Sequence, residues 1–226
     1  MEEMPLAAPL IYTPQASLLP EHLEQHRRWY TTTHAPRLMG LGFYSCRMFD
    51  GPGTRWCNLY EIPGPEIFDT NRYKAIGEAD VFMKLNISRF IDLNVTTYAQ
   101  DRVLDGAGKP LDAVPTIGAP SLSYIRFDWN GGDGALGDWL DGAVLETCAK
   151  VGTLRGLRLL RRHAEHPQLK TNYPRYAAAI LWAAPRASHD AALERAAQAL
   201  GSGASRLSHE TFHRSFGLVR EDVFPA

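Results

Sequence analysis

The sequence predicts an α+β fold in which two tandem ferredoxin-like βαββαβ repeats form an α+β barrel within one chain. The first observation is a shared offset: Trp29 and Trp139 lie 110 positions apart (139 − 29), and so do Gly42 and Gly152 (152 − 42). The second is a stretch rich in Gly and Pro at 105–120, which separates the two halves. The third is that strand-like and helix-like segments follow the same order in each half.

In the first half, the strand-like runs are 10–13, 43–49, 55–62 and 92–103, and the helix-like segments are 21–41 and 65–76. Pro14 is expected to end the first strand, and the Asp50–Thr54 turn predicts a hairpin between the second and third strands. Pro36 has no N–H to donate, so a kink or break is expected near Ala35 in the first helix.

In the second half, the strand-like runs are 122–129, 153–162, 176–184 and 211–219, and the helix-like segments are 133–150 and 188–200. The predicted domains are therefore a first repeat at 1–104 that carries the site, a linker at 105–120 and a degenerate second repeat at 121–226. A single four-stranded sheet of this kind leaves one apolar face bare, and two copies in one chain can cover each other.

Composition limits the classes of partner. The chain has 226 residues, of which 45% are hydrophobic and 22% charged, and its net charge is −1. Nucleic acid is therefore not expected as a partner.

The first residues do not have the pattern of a signal peptide, and no apolar run is long enough to cross a bilayer, so no membrane association is expected. The three cysteines show neither a C-x-x-C pair nor a metal spacing, which favours reduced thiols and a cytoplasmic location.

The two halves differ at one chemically important position. His34 of the first half corresponds to Val144 of the second, at the same offset of 110 (144 − 34). This asymmetry predicts one chemical site per chain, in the first half.

The candidate catalytic residues lie on the first helix-like segment, where His22, His26, Tyr30 and His34 are spaced by four. This spacing places them along one face of a helix. Imidazole groups titrate near neutral pH, so His34 and Tyr30 are the predicted proton-transfer residues, with His26 as a helper. Solvent-exposed or structural roles stay open for each of them. A metal site is not predicted, because no carboxylate stands at the H-E-x-x-H position.

The candidate substrate-binding residues are mostly aromatic. Trp56, Asn58 and Tyr60 share one face of the third strand by their period of two, and this face is too polar for a dry sheet core. It suits a ligand cavity of mixed character. The complete predicted set is Trp29, Arg37, Trp56, Asn58, Tyr60 and Tyr98. Arg37 and Arg126 could each bind a carboxylate or phenolate, or lie at the surface.

No cofactor is predicted. The sequence contains no P-loop, no G-x-G-x-x-G after a strand and no G-x-S-x-G elbow. Haem would need a histidine on a second-half helix facing a cavity. The only one there, His189, is expected at the exposed start of its helix.

Three parts of the first half resemble the dimeric α+β barrel superfamily: His26–Tyr30, His34–Leu38 and the Gly42-Phe43 pair that follows. Within that superfamily they are most similar to the branch named for the ethyl tert-butyl ether degradation protein (EthD-like). Leu59–Glu61 and Tyr73–Ala75 also look like the third strand and second helix of that branch. The resemblance covers the first half well and the second only as architecture. It implies the barrel fold more firmly than any activity, and it supports His34 as a pocket residue.

The favoured interpretation is an enzyme: a cofactor-independent lyase, isomerase or cyclase that uses histidine-mediated proton transfer on a small aromatic or carbonyl-containing molecule. One alternative is a non-catalytic small-molecule binding or carrier protein of the same fold. Another is a cofactor-free monooxygenase. A homodimer also stays open, because the tandem repeat already completes the pairing of sheets within one chain.

Overall fold

The structure, a computed structural model, describes residues 10–111, 117–165, 171–185 and 187–220. In this part of the chain, the strands are β1 (Leu10–Ser17), β2 (Ser45–Asp50), β3 (Arg55–Ile62), β4 (Ile91–Asp105), β5 (Ser121–Trp129), β6 (Leu154–Glu165), β7 (Tyr176–Trp182) and β8 (Ala204–Val219). The α-helices are α1 (Pro20–Trp29), α2 (Ala35–Met39), α3 (Asn71–Ala79), α4 (Val81–Asn86), α5 (Asp133–Trp139), α6 (Leu145–Ala149) and α7 (His189–Gln198). Helical segments thus stand between β1 and β2, β3 and β4, β5 and β6, and β7 and β8.

The strands form a closed barrel in the hydrogen-bonded order β1-β3-β2-β8-β5-β7-β6-β4. The pairing is antiparallel: Tyr12 of β1 and Cys46 of β2 both lie opposite Tyr60 of β3, and Ile125 of β5 lies opposite Ala178 of β7. The order of elements is β-α-β-β-α-β twice, so the predicted α+β barrel of ferredoxin-like units is confirmed. Descent of the two halves from one duplicated repeat stays a prediction.

The chain divides into two compact units. The first unit contains residues 10–97, 164–165, 171 and 214–220 of the described chain, and the second contains Tyr98–His163 and Asn172–His213. Strands β4 and β8 each contribute residues to both units. Part of the predicted linker, residues 112–116, lies outside the described residues.

The hairpin of the first unit forms where the sequence predicts it. Gly53 adopts a φ of +62°, a left-handed conformation that glycine takes without steric strain. The amide of Gly51 donates to the carbonyl oxygen of Arg55 at 2.8 Å, which closes the turn between β2 and β3.

The first helical segment has no break near Ala35, where a kink or break is predicted, but its helical geometry changes there. The backbone stays helical from Pro20 to Met39, and a π-helical turn at Tyr30–His34 joins α1 to α2. The amide of Ala35 donates to the carbonyl oxygen of Tyr30, five residues earlier, which is the π-helical bond. Pro36 lies in the first turn of α2, where a missing N–H costs little.

The second unit repeats the π-helical turn without a proline. Its turn, Leu140–Val144, lies 110 positions after the first (140 − 30), and Glu146 stands at the position equivalent to Pro36. Proline is therefore not required for this turn.

The helical segment after β3 is longer than predicted. It comprises a 3₁₀ turn at Pro65–Asp69, then α3, α4 and a second 3₁₀ turn at Ile87–Arg89. The hydroxyl of Thr70 accepts a hydrogen bond from the amide of Tyr73 at the start of α3. The carboxylate of Asp80 accepts one from the amide of Met83 at the start of α4. These two caps begin separate helices where the sequence predicts one.

Strand β1 continues past Pro14 to Ser17. The register with β3 is the same on both sides of the proline, with Leu10 opposite Ile62 and Ser17 opposite Arg55. The prediction that Pro14 ends the strand is therefore wrong. Pairing that resumes at Gln15 holds the strand in place where Pro14 itself has no N–H to donate.

In the second unit, helices α5 and α7 pack on the sheet through an apolar core that includes Phe127, Trp139, Trp182 and Leu193. Strand β8 begins at Ala204, earlier than the predicted residue 211, because it pairs with β5 from Trp129 onward. Across the residues described, the helices are too short and too polar to span a bilayer.

Candidate active site

A cavity of about 650 Å³ lies within the first unit, between its helical segments and one face of its sheet. Its wall is formed by β1, β3, the beginning of β4, α1 to α4 and the turns between them. The surface of this wall is mostly apolar and, alongside polar and charged groups, includes six aromatic side chains: Tyr12, Trp29, Trp56, Tyr60, Tyr73 and Phe90. Such a cavity suits a small aromatic molecule held by a small number of hydrogen bonds.

The predicted face of β3 lines this cavity. Trp56, Asn58 and Tyr60 are all part of its wall and are all buried. Cys57 faces the other side of the strand, where its sulfur lies 3.3 Å from the hydroxyl of Thr13. The alternation expected from the sequence therefore places three of the six predicted substrate-binding side chains in one cavity.

His34 lines the same cavity and is paired with a carboxylate. Its Nδ1 lies 3.4 Å from Oδ2 of Asp80, and the His34 side chain is 20% exposed whereas that of Asp80 is 4% exposed. Oδ1 of Asp80 accepts hydrogen bonds from the Trp29 indole N–H at 3.2 Å and from the Met83 amide at 2.9 Å. These two donors fix the carboxylate beside the imidazole.

Asp80 is held in its ionised form. Burial alone raises the pKa of its carboxyl group, but the hydrogen bond and charge of His34, together with the donors on Met83 and Trp29, lower that pKa overall. A carboxylate bonded to one ring nitrogen of a histidine orients the ring and stabilises the imidazolium that forms when the other nitrogen takes a proton. The His34–Asp80 contact has an ion-pair distance without full hydrogen-bond geometry, and its arrangement is compatible with proton transfer.

His26 lines the cavity one π-helical turn and one α-helical turn before His34. It is 1% exposed, and its ring lies 4.6 Å from that of Trp56 and 5.6 Å from those of Trp29 and Phe90, centroid to centroid. Burial, followed by the positive charges of His34 and Arg27, lowers the pKa of His26 to about 3. Its imidazole is therefore neutral at physiological pH.

Tyr30 does not line the cavity. Its hydroxyl donates to the carbonyl oxygen of Arg47 at 3.2 Å, and the side chain belongs to the apolar core of the first unit. Burial raises the pKa of this phenol well above its usual value. The spacing of four predicts Tyr30 as the hydrogen-bond partner of His34, but the structure gives that position to Asp80.

The remaining predicted residues occupy three different environments. Trp29 lines the cavity and donates to Asp80. Arg37 is exposed on α2, outside the cavity wall. Tyr98 is buried and belongs to the second unit. His22, the first of the four residues spaced by four, lies beside Arg89, with 3.4 Å between Nδ1 of His22 and the Arg89 guanidinium. The structure therefore brings together His26, Trp29, His34, Trp56, Asn58 and Tyr60.

Sequence reasoning missed Asp80. The only local signal was an acidic residue directly before the apolar run Val81-Phe82-Met83, which is the pattern of an N-cap. Tyr12 and Tyr73, which also line the cavity, gave no signal, since they lie on elements predicted only as strand and helix.

The second unit has a smaller cavity of about 320 Å³ with a different lining. Arg102 and Asp141 form an ion pair beside it. Val144, the counterpart of His34, is buried in the apolar core. The described residues contain no group of His, Cys, Asp and Glu side chains that could hold a metal ion.

His189 of the second unit is buried, although the sequence predicts an exposed position. It is 1% exposed, its ring stacks on Trp182 at 4.0 Å, and its Nε2 lies 3.3 Å from the hydroxyl of Thr153. His189 is absent from the walls of both cavities.

No family model matches this chain, and neither does any curated protein. Solved structures do match its fold. An anthrone oxidase-like protein aligns with a TM-score of 0.64 and 11% identity, covering 97% of this chain and 96% of its own. A proposed monooxygenase from Fusobacterium nucleatum subsp. nucleatum aligns with a TM-score of 0.56 and 9% identity, over 94% of this chain and 95% of its own. A proposed monooxygenase from Lactobacillus acidophilus aligns with a TM-score of 0.55 and 10% identity, over 94% and 97%.

At such identities the similarity to these structures establishes the fold alone. The α+β barrel fold is thus confirmed, and the superfamily that the sequence resembles stays a prediction. The finer resemblance to the EthD-like branch stays a prediction.

Proposed function

We propose that this protein is a cofactor-independent monooxygenase that oxidises a small aromatic phenol, or its carbonyl tautomer, in the cavity of the first unit. The observation that carries the proposal is the His34–Asp80 pair in the wall of an aromatic cavity. The names of the structural neighbours, an anthrone oxidase-like protein and two proposed monooxygenases, support an oxygenase over the lyase, isomerase or cyclase favoured by the sequence.

The first chemical step is removal of a proton from the substrate. Nδ1 of His34 faces Asp80, so Nε2 is the nitrogen that accepts the substrate proton. The ionised Asp80 stabilises the resulting imidazolium. A positioned base of this kind contributes about 100- to 10,000-fold to the rate of a proton transfer.

The electron-rich anion formed in this way can reduce oxygen directly. For a substrate with a ring CH₂ group beside the aromatic system, the overall reaction is R₂CH₂ + O₂ → R₂C=O + H₂O. The anion and O₂ join in a C–O bond, and His34 returns its proton to give the hydroperoxide. Loss of the second C–H proton then breaks the O–O bond. The carbon loses four electrons and O₂ gains four, so no external reductant is needed.

The same pair could instead serve a lyase, isomerase or cyclase, because these reactions share the first step and differ only in the fate of the anion. A carrier protein would use the cavity without this step. Oxygen dependence separates the three possibilities.

The test uses purified protein with anthrone and with 1,8-dihydroxyanthrone, in an oxygen electrode and with ¹⁸O₂ followed by mass spectrometry. We expect O₂ consumption with one labelled oxygen in the product, at a rate reduced about 100-fold or more in His34→Gln. His22→Gln, a change outside the cavity wall, is the matched control and keeps the rate. Equal conversion under argon overturns the proposal in favour of a lyase or isomerase, and tight binding without any conversion overturns it in favour of a carrier.

A further inference from the structure

Besides Nδ1 of His34 and Oδ2 of Asp80, which face each other at 3.4 Å, three more polar side chains in the wall of the cavity have buried atoms without a hydrogen-bond partner. Among the described residues, none bonds to Nδ1 or Nε2 of His26, to Nε1 of Trp56 or to Oδ1 of Asn58. The side chains are buried: His26 is 1% exposed, and Trp56 and Asn58 are each 3% exposed. Proteins rarely leave buried polar atoms unsatisfied, so each exception calls for an explanation, and beside a cavity a bound molecule is one.

These three side chains are neighbours. The rings of His26 and Trp56 lie 4.6 Å apart at 30°. Trp56 and Asn58 are two positions apart on β3 and line the same cavity. Two elements, α1 and β3, therefore bring one cluster of unpaired donors and acceptors to one part of the wall.

The cluster is separate from the His34–Asp80 pair but close enough for one ligand to reach both. The ring of Trp29 stands between them, 5.6 Å from the ring of His26 and 4.4 Å from that of His34. His26 and His34 both line the cavity, so a ligand bound there can present one oxygen to each.

We propose that His26, Trp56 and Asn58 form an uncharged hydrogen-bonding subsite that holds a second oxygen function, a hydroxyl or a carbonyl, of the aromatic substrate. The identification of the ligand as a substrate rests on the proposed function, whereas the subsite itself does not. The substrate class that follows is a hydroxylated or keto-substituted fused arene without a carboxylate.

The chemistry of the three groups sets this class. A neutral imidazole has one N–H donor and one acceptor, an indole has one donor and an amide oxygen is an acceptor. Burial and the charges of His34 and Arg27 keep the pKa of His26 at about 3, so the ring brings no positive charge. A carboxylate would have to lose its water in a subsite without a compensating cation, which is strongly unfavourable. The cavity lysines, Lys74 and Lys84, are exposed and remain solvated.

The test compares binding of naphthalene, 2-naphthol and 2-naphthoate by isothermal titration calorimetry. For the unmodified protein we expect 2-naphthol to bind at least tenfold more tightly than the other two, since a good hydrogen bond is equivalent to about tenfold in affinity. His26→Phe keeps the aromatic wall and removes both nitrogens, and it should reduce this preference to about twofold or less.

A second readout distinguishes a binding role from a structural one. Removing unsatisfied buried nitrogens should raise the Tm of the ligand-free His26→Phe protein by about 2–4 °C while its preference for 2-naphthol falls. A residue with a purely structural role would lower both. Asn58→Leu is the second variant and should also lose the preference, and His22→Phe is the matched control that changes neither quantity.

His34→Gln separates this inference from the proposed function. If the subsite is real, this variant keeps the preference for 2-naphthol even when no oxygenation is observed with any protein. Loss of the preference in His34→Gln together with its retention in His26→Phe overturns the inference, as does tight binding of 2-naphthoate to the unmodified protein.

Discussion

The indole N–H of Trp29 donates to the carboxylate of Asp80 at 3.2 Å, across 51 positions of sequence. This bond ties the end of α1 to the junction of α3 and α4. The same carboxylate lies against the ring of His34, so the contact that fastens the helices also positions the carboxylate of the proposed proton-transfer pair. Asp80 therefore holds the helices together and also takes part in the proposed chemistry.

Replacement of Asp80 by Asn tests its charge separately from its hydrogen bonds. The amide oxygen of Asn can still cap α4 and accept from Trp29, so we expect a small change in Tm. The lost negative charge no longer stabilises the His34 imidazolium, and kcat should fall about 100-fold or more. Steady-state oxygen consumption and a thermal melt measure the two effects.

Asp80→Ala is the matched comparison, because it removes the charge and the cap together. Loss of an N-cap costs about 1 kcal/mol, which corresponds to a decrease in Tm of about 2–4 °C for a chain of this size. If Asn retains both the Tm and full activity whereas Ala lowers the Tm, then Asp80 acts only as a cap.

Burial of His26 makes the stability of the protein depend on pH. The pKa of His26 is lowered from 6.5 to about 3 in the folded protein, chiefly by burial and then by the charges of His34 and Arg27. Between these two values the unfolded chain binds the extra proton. The contribution of His26 to the free energy of unfolding is thus complete above pH 6.5. Below pH 6.5 it decreases by about 1.4 kcal/mol per pH unit.

His26→Phe should remove this slope. Urea unfolding at pH 7, 6, 5 and 4 gives the free energy of unfolding for each protein, and the difference between variant and wild type should grow as the pH falls. His22→Phe, on the same helix but outside the cavity wall, should leave the slope intact. A difference that is constant with pH would show that His26 is protonated in the folded protein.

The sequence predicted the barrel because its strands carry strong local signals. Alternation and Gly-Pro turns locate β2 and β3 to within two residues, and the shared offset of 110 relates the two halves. The segment 77–90 was harder, since its two short helices depend on the caps of Thr70 and Asp80 and on packing over the cavity. The π-helical turn has no signature in the sequence, because the second unit forms it from unrelated residues at Leu140–Val144.

The candidate site was only partly predictable, because tertiary packing places some of its residues. The period of two on β3 correctly grouped Trp56, Asn58 and Tyr60 on one face, as strand geometry requires. Spacing by four on a helix was less informative, since it grouped Tyr30 with the histidines although the phenol points into the core. Asp80 comes from a distant segment, and only the tertiary fold brings it to His34.

Tyr30→Phe tests whether this phenol contributes to catalysis. The change removes only the hydroxyl that donates to the Arg47 carbonyl. Loss of one buried hydrogen bond costs about 1 kcal/mol, so the Tm should fall by about 2–4 °C. Since Tyr30 lies outside the cavity wall, its effect on kcat should be far smaller than that of His34→Gln. A loss in kcat equal to that of His34→Gln, with an unchanged Tm, would restore Tyr30 as the proton-transfer partner.

Arg126 of the second unit is a structural cation. Its guanidinium lies 4.4 Å from the rings of both Tyr124 and Tyr173, and Nη1 is 2.8 Å from Oε2 of Glu210. Burial alone lowers the pKa of Arg126, but the surrounding tyrosines and Glu210 raise it overall, so the group stays charged. These contacts engage the cation within the protein and leave its binding of a substrate carboxylate unsupported.

Arg126→Met should therefore lower the free energy of unfolding by about 3 kcal/mol, because it removes a buried cation together with its contacts to Glu210 and to the rings of Tyr124 and Tyr173. Arg37→Met, a change at an exposed arginine, is the control and should stay within about 0.5 kcal/mol of wild type. Adding Glu210→Gln to Arg126→Met should recover part of the loss, since the carboxylate charge that faced the guanidinium is then gone. Urea unfolding measures all three. An unchanged stability in Arg126→Met, together with weaker binding of an aromatic carboxylate, would instead assign this arginine to a binding site.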